Sequence, residues 1–458
     1  MKSKSTLLRS MLTFFLAITY LGNLFVQSQW MDRLDLAILV VIILMSFTVV
    51  TGSSKIIGYC TFIISISLFF LYRAPLSEWE AALRENLDMV IMFILIPLVG
   101  IPIQYGGYFS ALQSVFRRYI KTNSRFYLLV SSAAAFLGVL INLAVVPLVY
   151  QISKASTISS NKKLLSSAMS RGFATVTIWA PTTAAIALIM RLCGAEWPAF
   201  FPYGLTCGVI AGVVGSMLTN HEERKRVSNI ENETTESVSK EELHKVIELG
   251  AFGIALVVFI TLISHFAKIP TILVVSLASV LYPMIWMGLI GKFSLYLRQF
   301  RAEYFRETLP RVKNEVVLFM GAGFFVNSIT YADLGDYIPR FLSWVVGSNT
   351  FLLTVVVIFA SLIISGVGVH PIIPVMIIGG TVRPEAFGVT PVYLSLLLSI
   401  SWSMGVTISP TSATVIATSS LTGESPFQIG IRWNSLYVLI TTLCIIAFLT
   451  IVHGLGLI

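Results

Sequence analysis

Two short segments decide how this chain is interpreted: WAPTTAA at residues 179–185 and ISPTSAT at residues 408–414. Each contains a Pro-Thr pair, and Pro181 lies opposite Pro410 when the segments are aligned. Both prolines lie inside long apolar stretches. A proline within a helix removes a backbone donor and clashes with the carbonyl four residues earlier. The two segments therefore predict a pair of broken helices at matching places in the chain.

Other features recur in the same order around these segments. Each half is predicted to contain an amphipathic interfacial helix, a re-entrant hairpin interrupted by Gly, Asn or Pro, and a broken helix. These elements are 106–122, 126–153 and 164–191 in the first half and 335–346, 349–382 and 391–423 in the second. The shared order and near-constant spacing indicate an internal repeat.

The composition is that of a membrane protein. Hydrophobic residues make up 56% of the 458 residues, charged residues only 12%, and the mean hydropathy is +0.85. A soluble protein has about a quarter charged residues, which excludes a soluble enzyme, a disordered chain and a secreted disulfide scaffold. The apolar runs do not alternate with polar residues as in outer-membrane barrels. The net charge of +9 is explained by basic cytoplasmic loops and does not indicate a nucleic-acid partner.

A spanning helix needs about 20 apolar residues. The predicted full spans are 10–28, 35–53, 56–73, 88–104, 164–191, 197–218, 246–267, 270–290, 314–331, 391–423 and 434–455. If both hairpins enter and leave on one side, the inside segments hold more than three times as many Lys and Arg residues as the outside segments. The prediction is an all-α polytopic protein of the cytoplasmic membrane with about eleven transmembrane helices and two re-entrant hairpins. Its two inverted-topology repeats place the N-terminus inside and the C-terminus outside.

The predicted domain organisation follows the repeat. It comprises an N-terminal span (1–34), a first repeat (35–219) with scaffold 35–104 and closing helix 197–218, a cytoplasmic linker (220–245), and a second repeat (246–458) with scaffold 246–331 and closing helix 434–455. The linker is the long polar stretch near the midpoint of the chain.

Inverted repeats with broken helices are typical of secondary transporters, which bind solute and ions at the breaks. The amides at the start of a half-helix suit an anion, whereas free carbonyls and hydroxyls suit a hard cation. The candidate solute and ion site is Asn142, Thr177, Pro181, Thr182, Thr183, Gly366, Gly368, His370, Ser409, Pro410, Thr411, Ser412 and Thr414. Sodium is predicted near Asn142, Thr182, Ser409 and Ser412. No catalytic residue and no cofactor is predicted.

The coupling ion is predicted from the charged residues. Apart from Arg171, no Asp, Glu, Lys or Arg lies well inside a predicted span or hairpin, and Asp88 and Glu315 stand at span entrances. A proton relay would show a buried carboxylate. The sequence therefore favours sodium coupling, or the absence of tight coupling, over proton coupling.

This arrangement resembles the ion-transporter superfamily. Its members include divalent anion:sodium symporters, arsenite pumps, sodium/proton antiporters and the large membrane subunits of TRAP dicarboxylate transporters. The resemblance covers about 35–450 and is architectural. The first tip reads Ile141-Asn142-Leu143 in place of the Ser-Asn-Thr hairpin signature of the dicarboxylate symporters, so only Asn142 carries over, and the second tip reads Gly368-Val369-His370. The resemblance implies an elevator mechanism, a scaffold that holds a homodimer, and a membrane lipid environment.

The predicted function is a secondary active transporter, coupled to sodium, for a small organic anion. A cation/proton antiporter of the same superfamily is the first alternative. An intramembrane enzyme is a second, although it requires a nucleophile–base pair or a metal cluster at membrane depth. A channel is a third alternative, but two opposed hairpins favour alternating access.

Overall fold

The computed structural model describes residues 4–223 and 239–458, and these residues form helices and turns without any strand. Most of the predicted linker 220–245 lies outside the described residues. The α-helices are α1 (Lys4–Val26), α2 (Gln29–Phe47), α3 (Gly52–Leu71), α4 (Leu76–Arg84), α5 (Leu87–Leu95), α6 (Gly100–Tyr105), α7 (Tyr108–Tyr119), α8 (Asn123–Ile141), α9 (Val145–Ser153), α10 (Lys162–Trp179), α11 (Ala184–Cys193), α12 (Trp197–Glu223), α13 (Lys240–Ala267), α14 (Thr271–Leu289), α15 (Phe293–Gln299), α16 (Lys313–Tyr331), α17 (Tyr337–Val346), α18 (Thr350–Gly366), α19 (Ile372–Thr381), α20 (Pro391–Ile408), α21 (Ala413–Thr422) and α22 (Trp433–Gly454). Short 3-10 segments are Ile96–Val99, Asn142–Ala144, Thr157–Ser160, Leu309–Val312, Leu334–Asp336 and Pro384–Phe387, and π-helical segments are Phe300–Thr308 and Gln428–Arg432.

The helices confirm an all-α polytopic membrane protein. Ten helical runs of the described residues are long and apolar enough to cross a membrane, or eleven if Phe293–Tyr331 and Leu334–Val346, bent by 93°, form one span. The predicted span at 35–53 is not among them. The helix at this place is α2, and Asp32, Arg33 and Asp35 make its first half too polar.

The chain forms two compact units. The first comprises the described residues up to Gly106 together with Phe266–Pro339. In this unit α3 packs along α16, and the contact depends on glycine because a Cβ added to Gly58 would collide with Val317. Small residues of this kind let two membrane helices approach closely.

The second unit comprises the described residues of Gly107–His265 together with Arg340–Ile458. α13 packs here, with Phe136 against Gly253 and the Tyr108 hydroxyl donating to Glu248 Oε1. The second segment of the first unit is Phe266–Pro339, so its ends do not coincide with those of the predicted scaffold 246–331. The roles of scaffold and moving domain stay predictions.

The stretch 126–153 folds as two helices that meet at Asn142. α8 runs in the same direction as α10, because Ser131 lies against Gly172 and Gly138 lies against Val176. α9 must then return toward the start of α10, which makes α8 and α9 a hairpin. The entry of this hairpin into a membrane stays a prediction.

The stretch 349–382 has the same construction. Thr354 hydrogen-bonds Tyr393 near the start of α20, and Ser365 Oγ lies 2.8 Å from a Cβ position on Gly405 near its end. α18 and α20 are therefore parallel. α19 returns along α20, with Gly379 against Leu398.

The two broken helices run in opposite directions. Lys162 Nζ, at the start of α10, lies 3.3 Å from Glu424 Oε1, beyond the end of α21. Further along, Ser403 Oγ donates to the carbonyl of Ala174 at 2.7 Å. This antiparallel arrangement within the second unit is the one expected of inverted repeats.

Candidate functional site

The first break separates α10 from α11 over residues 180–183. Pro181 has no N–H, so it cannot donate to the carbonyl of Thr177. Thr183 begins the second half-helix as its N-cap, because its Oγ1 accepts from the amide of Ile186 at 3.5 Å. The predicted broken helix is therefore formed by a proline followed by a capping hydroxyl.

The second break, over 409–412, repeats this design. Ser412 caps α21 by accepting from the amide of Val415 at 3.3 Å. Its hydroxyl also donates to the carbonyl of Val406 at 2.7 Å. A proline at 410 would leave the carbonyl of Val406, four residues earlier, without its helical donor. This carbonyl is already bonded here, because Ser412 folds back onto it.

Each hairpin tip is tied to its own break by an equivalent threonine. Thr182, directly after Pro181, donates to the carbonyl of Val139 at 2.6 Å. Thr411, directly after Pro410, donates to the carbonyl of Gly368 at 2.8 Å. The structure therefore groups the predicted residues into two sets, one for each hairpin and break.

The tips themselves have unusual backbone. Gly368 has φ +99°. Asn142 has φ 51° and ψ −137°, a backbone conformation that is strained in residues other than glycine. The backbone N–H of Asn142 donates to the carbonyl of Gly138, whereas its half-buried side-chain amide has no hydrogen-bond partner among the described residues. The first tip therefore presents a polar side chain that is available to a ligand.

The remaining predicted residues have local roles. Thr177 Oγ1 donates back along its own helix to Ala174. His370 Nδ1 accepts from the amide of Ile372 at 3.2 Å, and its ring contacts Trp402. Gly366 ends α18, and Thr414 is buried in the first turn of α21. No cluster of His, Cys, Asp or Glu suited to a metal ion occurs within the described ranges.

Ser365 belongs to the second tip and was absent from the prediction. Its Oγ is buried without a hydrogen-bond partner in the described residues, and it lies beside Gly405 at the end of α20. The sequence could have pointed to Ser365, because it directly precedes Gly366 and a serine at this place in a hairpin tip offers a hydroxyl close to the turn.

The first unit contains two buried carboxylates, and the predicted absence of carboxylates from the depth of the membrane stays a prediction. Asp35 lies in the first half of α2, is only 2% exposed and accepts a hydrogen bond from Thr19. Oε2 of Glu315 is buried without a partner in the described part of the chain. Asp35 is the first residue of the predicted span 35–53, and Glu315 lies in the first turn of α16, where the sequence analysis placed a span entrance.

Comparison with known families identifies this construction. Residues 165–452, well over half of the chain, match the model of the Tripartite ATP-independent periplasmic transporter, DctM component. The chain belongs to this family. The DctM-family assignment makes it a multi-pass transport protein of the cytoplasmic membrane, of the secondary type, and not an enzyme.

A solved structure shares the fold of this DctM-family chain. The Alcanivorax borkumensis YdaH transporter is 17% identical with a TM-score of 0.55, over 80% of this chain and 85% of that chain. MtrF of Neisseria gonorrhoeae, described with a class of antimetabolite efflux pumps, is 12% identical with a TM-score of 0.44, over 87% and 84%. The second likeness is too weak to support a conclusion. No curated protein matches the sequence.

Proposed function

We propose that this DctM-family protein transports a small organic anion together with sodium. The observation that carries the proposal is the pair of equivalent threonine bonds, Thr182 to Val139 and Thr411 to Gly368, which join each hairpin tip to a broken helix. Broken helices at matching places of inverted repeats are where secondary transporters bind their solutes.

The sodium sites are proposed at the two tips. Sodium is a hard cation that prefers oxygen ligands. The first tip offers the amide oxygen of Asn142, and the second offers Ser409 Oγ and Thr411 Oγ1, which lie 3.0 Å apart. The hydroxyls of Thr182 and Ser412 have lone pairs left after the bonds they donate.

The anion is proposed to bind at the starts of α11 and α21. Both half-helices begin after a break, so their first amides have no partner within the helix. These amides and the helix dipole favour a carboxylate or a similar group. Contacts of this kind come from backbone groups, which agrees with the small number of charged side chains near the breaks.

We further propose an elevator mechanism in which the second unit is the moving domain. This unit contains both hairpins and both broken helices, whereas the first unit contains neither. Sodium and anion binding together would keep the moving domain close to neutral, which lowers the cost of crossing the membrane. The first unit would then be the scaffold and hold a homodimer.

The family name describes one component of a tripartite transporter. We therefore propose that the chain acts with the other components of such a transporter. Binding measurements on the isolated chain test the site without requiring these partners.

Proton-coupled exchange is the second candidate function. It is favoured by the buried carboxylates Asp35 and Glu315 in the first unit, because intramembrane carboxylates serve as proton relays. It predicts a response to pH that does not require sodium.

A thermal-shift screen of the purified chain tests the proposal. Small carboxylates should raise the unfolding temperature in sodium and have much less effect in potassium at the same pH. Stabilisation that is equal in sodium and potassium, or that follows pH alone, would exclude sodium coupling.

The variant Asn142→Gly sharpens this test. Glycine adopts a positive φ without strain, so the hairpin should fold as well as in the wild type. It lacks the amide oxygen of asparagine, so the sodium concentration for half-maximal stabilisation should rise. The rise should be several-fold, because one lost oxygen ligand costs about 1 kcal/mol. An unchanged sodium requirement would remove Asn142 from the site.

A further inference from the structure

Arg171 is a buried cation that the proposed mechanism does not use. Its side chain lies within the apolar run Lys162–Cys193 and is only 3% exposed. Nε donates to Asn434 Oδ1 at 2.9 Å, Nη2 to the carbonyl of Trp433 at 3.0 Å, and Nη1 to Thr219 Oγ1 at 3.5 Å. All three acceptors are neutral.

The charge of Arg171 has no counter-charge in the described part of the chain. Its guanidinium lies 4.9 Å from the ring centroid of Tyr437 and 5.9 Å from that of Tyr127. The carboxylates at the end of α12 are engaged elsewhere: Glu222 pairs with Lys163, and Glu223 accepts from Asn123. The Tyr127 hydroxyl also accepts a hydrogen bond from the guanidinium. A guanidinium has five donors, so one of them remains for a ligand. A buried charge of this kind is costly unless an anion joins it.

The side chain lines a groove of about 450 Å³ between α8, α10 and α12. Each of the three helices contributes small residues to the wall of the groove: Ser131 from α8, Gly172 from α10, and Gly208, Gly212 and Ser216 from α12. The groove also has an apolar part that is open to the surroundings, with Leu128, Val209 and Met217 each more than half exposed. The groove thus combines a polar, cationic end with an apolar channel.

We propose that this groove binds an anionic phospholipid, with the phosphate on Arg171 and an acyl chain along Gly208 and Gly212. The position of Arg171 along the helices fits that of a lipid headgroup. It bonds Thr219, about one turn before α12 ends at Glu223, and this end is predicted to face the cytoplasm. Basic pockets between membrane helices at the cytoplasmic side are suited to anionic headgroups.

The experiment measures the unfolding temperature of the detergent-purified full chain after addition of phosphatidylglycerol or phosphatidylcholine. Phosphatidylglycerol should stabilise the wild type more than phosphatidylcholine does. Arg171→Gln should weaken the phosphatidylglycerol response at least about tenfold in apparent Kd, since hydrogen bonds to a charged group contribute this much. Arg171→Lys should retain part of it.

Because Arg171→Gln could fail to fold, a second pair of variants tests the groove itself. A Cβ added at Gly212 meets no atom within 4 Å, and the same is true at Gly250, which lies outside the groove in α13. Gly212→Leu should fill the channel and abolish the preference for phosphatidylglycerol, whereas Gly250→Leu should keep it.

Three results would overturn the proposal. The first is equal stabilisation by the two lipids, the second is a phosphatidylglycerol preference that survives in Gly212→Leu, and the third is an equal shift with glycerol phosphate or inorganic phosphate. The last would show a site for a small free anion, because the acyl chain would then contribute nothing.

Discussion

Replacing Pro181 and Pro410 together by alanine should give a folded protein that no longer responds to sodium. Each alanine restores an N–H that can donate to the carbonyl four residues earlier, and a proline inside a helix disfavours it by about 3 kcal/mol. At the second break, this N–H would compete with Ser412 for the carbonyl of Val406. The helices should close, and the tips should lose the threonine bonds that hold them.

The expected measurement is an unfolding temperature equal to or above that of the wild type, with no further rise on adding sodium. Pro202→Ala is the matched control, because Pro202 lies inside the continuous helix α12 and not at a break. Its sodium response should be unchanged. A folded double variant with the sodium response of the wild type would show that both prolines only bend their helices.

Gly172→Ala should strongly destabilise the second unit. A Cβ at this position would collide with the carbonyl of Ser131 and lie 2.8 Å from its Cα, and backbone atoms cannot rotate away as a side chain can. Overpacking of this kind costs about 1–3 kcal/mol or more. The α8–α9 hairpin would have to move off α10, so sodium-dependent stabilisation should fall as well.

Gly212→Ala is the control for this loss, because an added Cβ there meets open space. Its free energy of unfolding should stay level or rise slightly with the better helix propensity of alanine, by at most about 1 kcal/mol. Denaturation followed by tryptophan fluorescence compares the two variants. Equal stabilities would contradict the close contact of α8 with α10.

The sequence predicted the fold class and both broken helices because a proline within an apolar run, repeated at a matching place, has few structural alternatives. Pro181 and Pro410 gave the breaks to within a few residues. Family membership and the transport class agree with this prediction. Sodium coupling, the anion and the elevator mechanism stay predictions.

Other features depend on side-chain geometry that no spacing reveals. The donation of Thr182 to Val139 joins residues 43 positions apart, and the bond from Ser412 to Val406 satisfies a carbonyl that the sequence left free. The buried Asp35 was missed because α2 begins at Gln29, earlier than its hydropathy suggests. Arg171 was visible in the sequence, but only the structure shows that its partners are neutral.

Equilibrium binding of radiolabelled sodium to the purified chain tests the proposed sodium sites, because it requires neither the solute nor partner subunits. We expect saturable binding that unlabelled sodium displaces and that potassium does not displace. The Pro181→Ala, Pro410→Ala double variant should lack this binding. Absence of saturable sodium binding to the folded wild type, or the same binding in the double variant, would contradict the proposed sites.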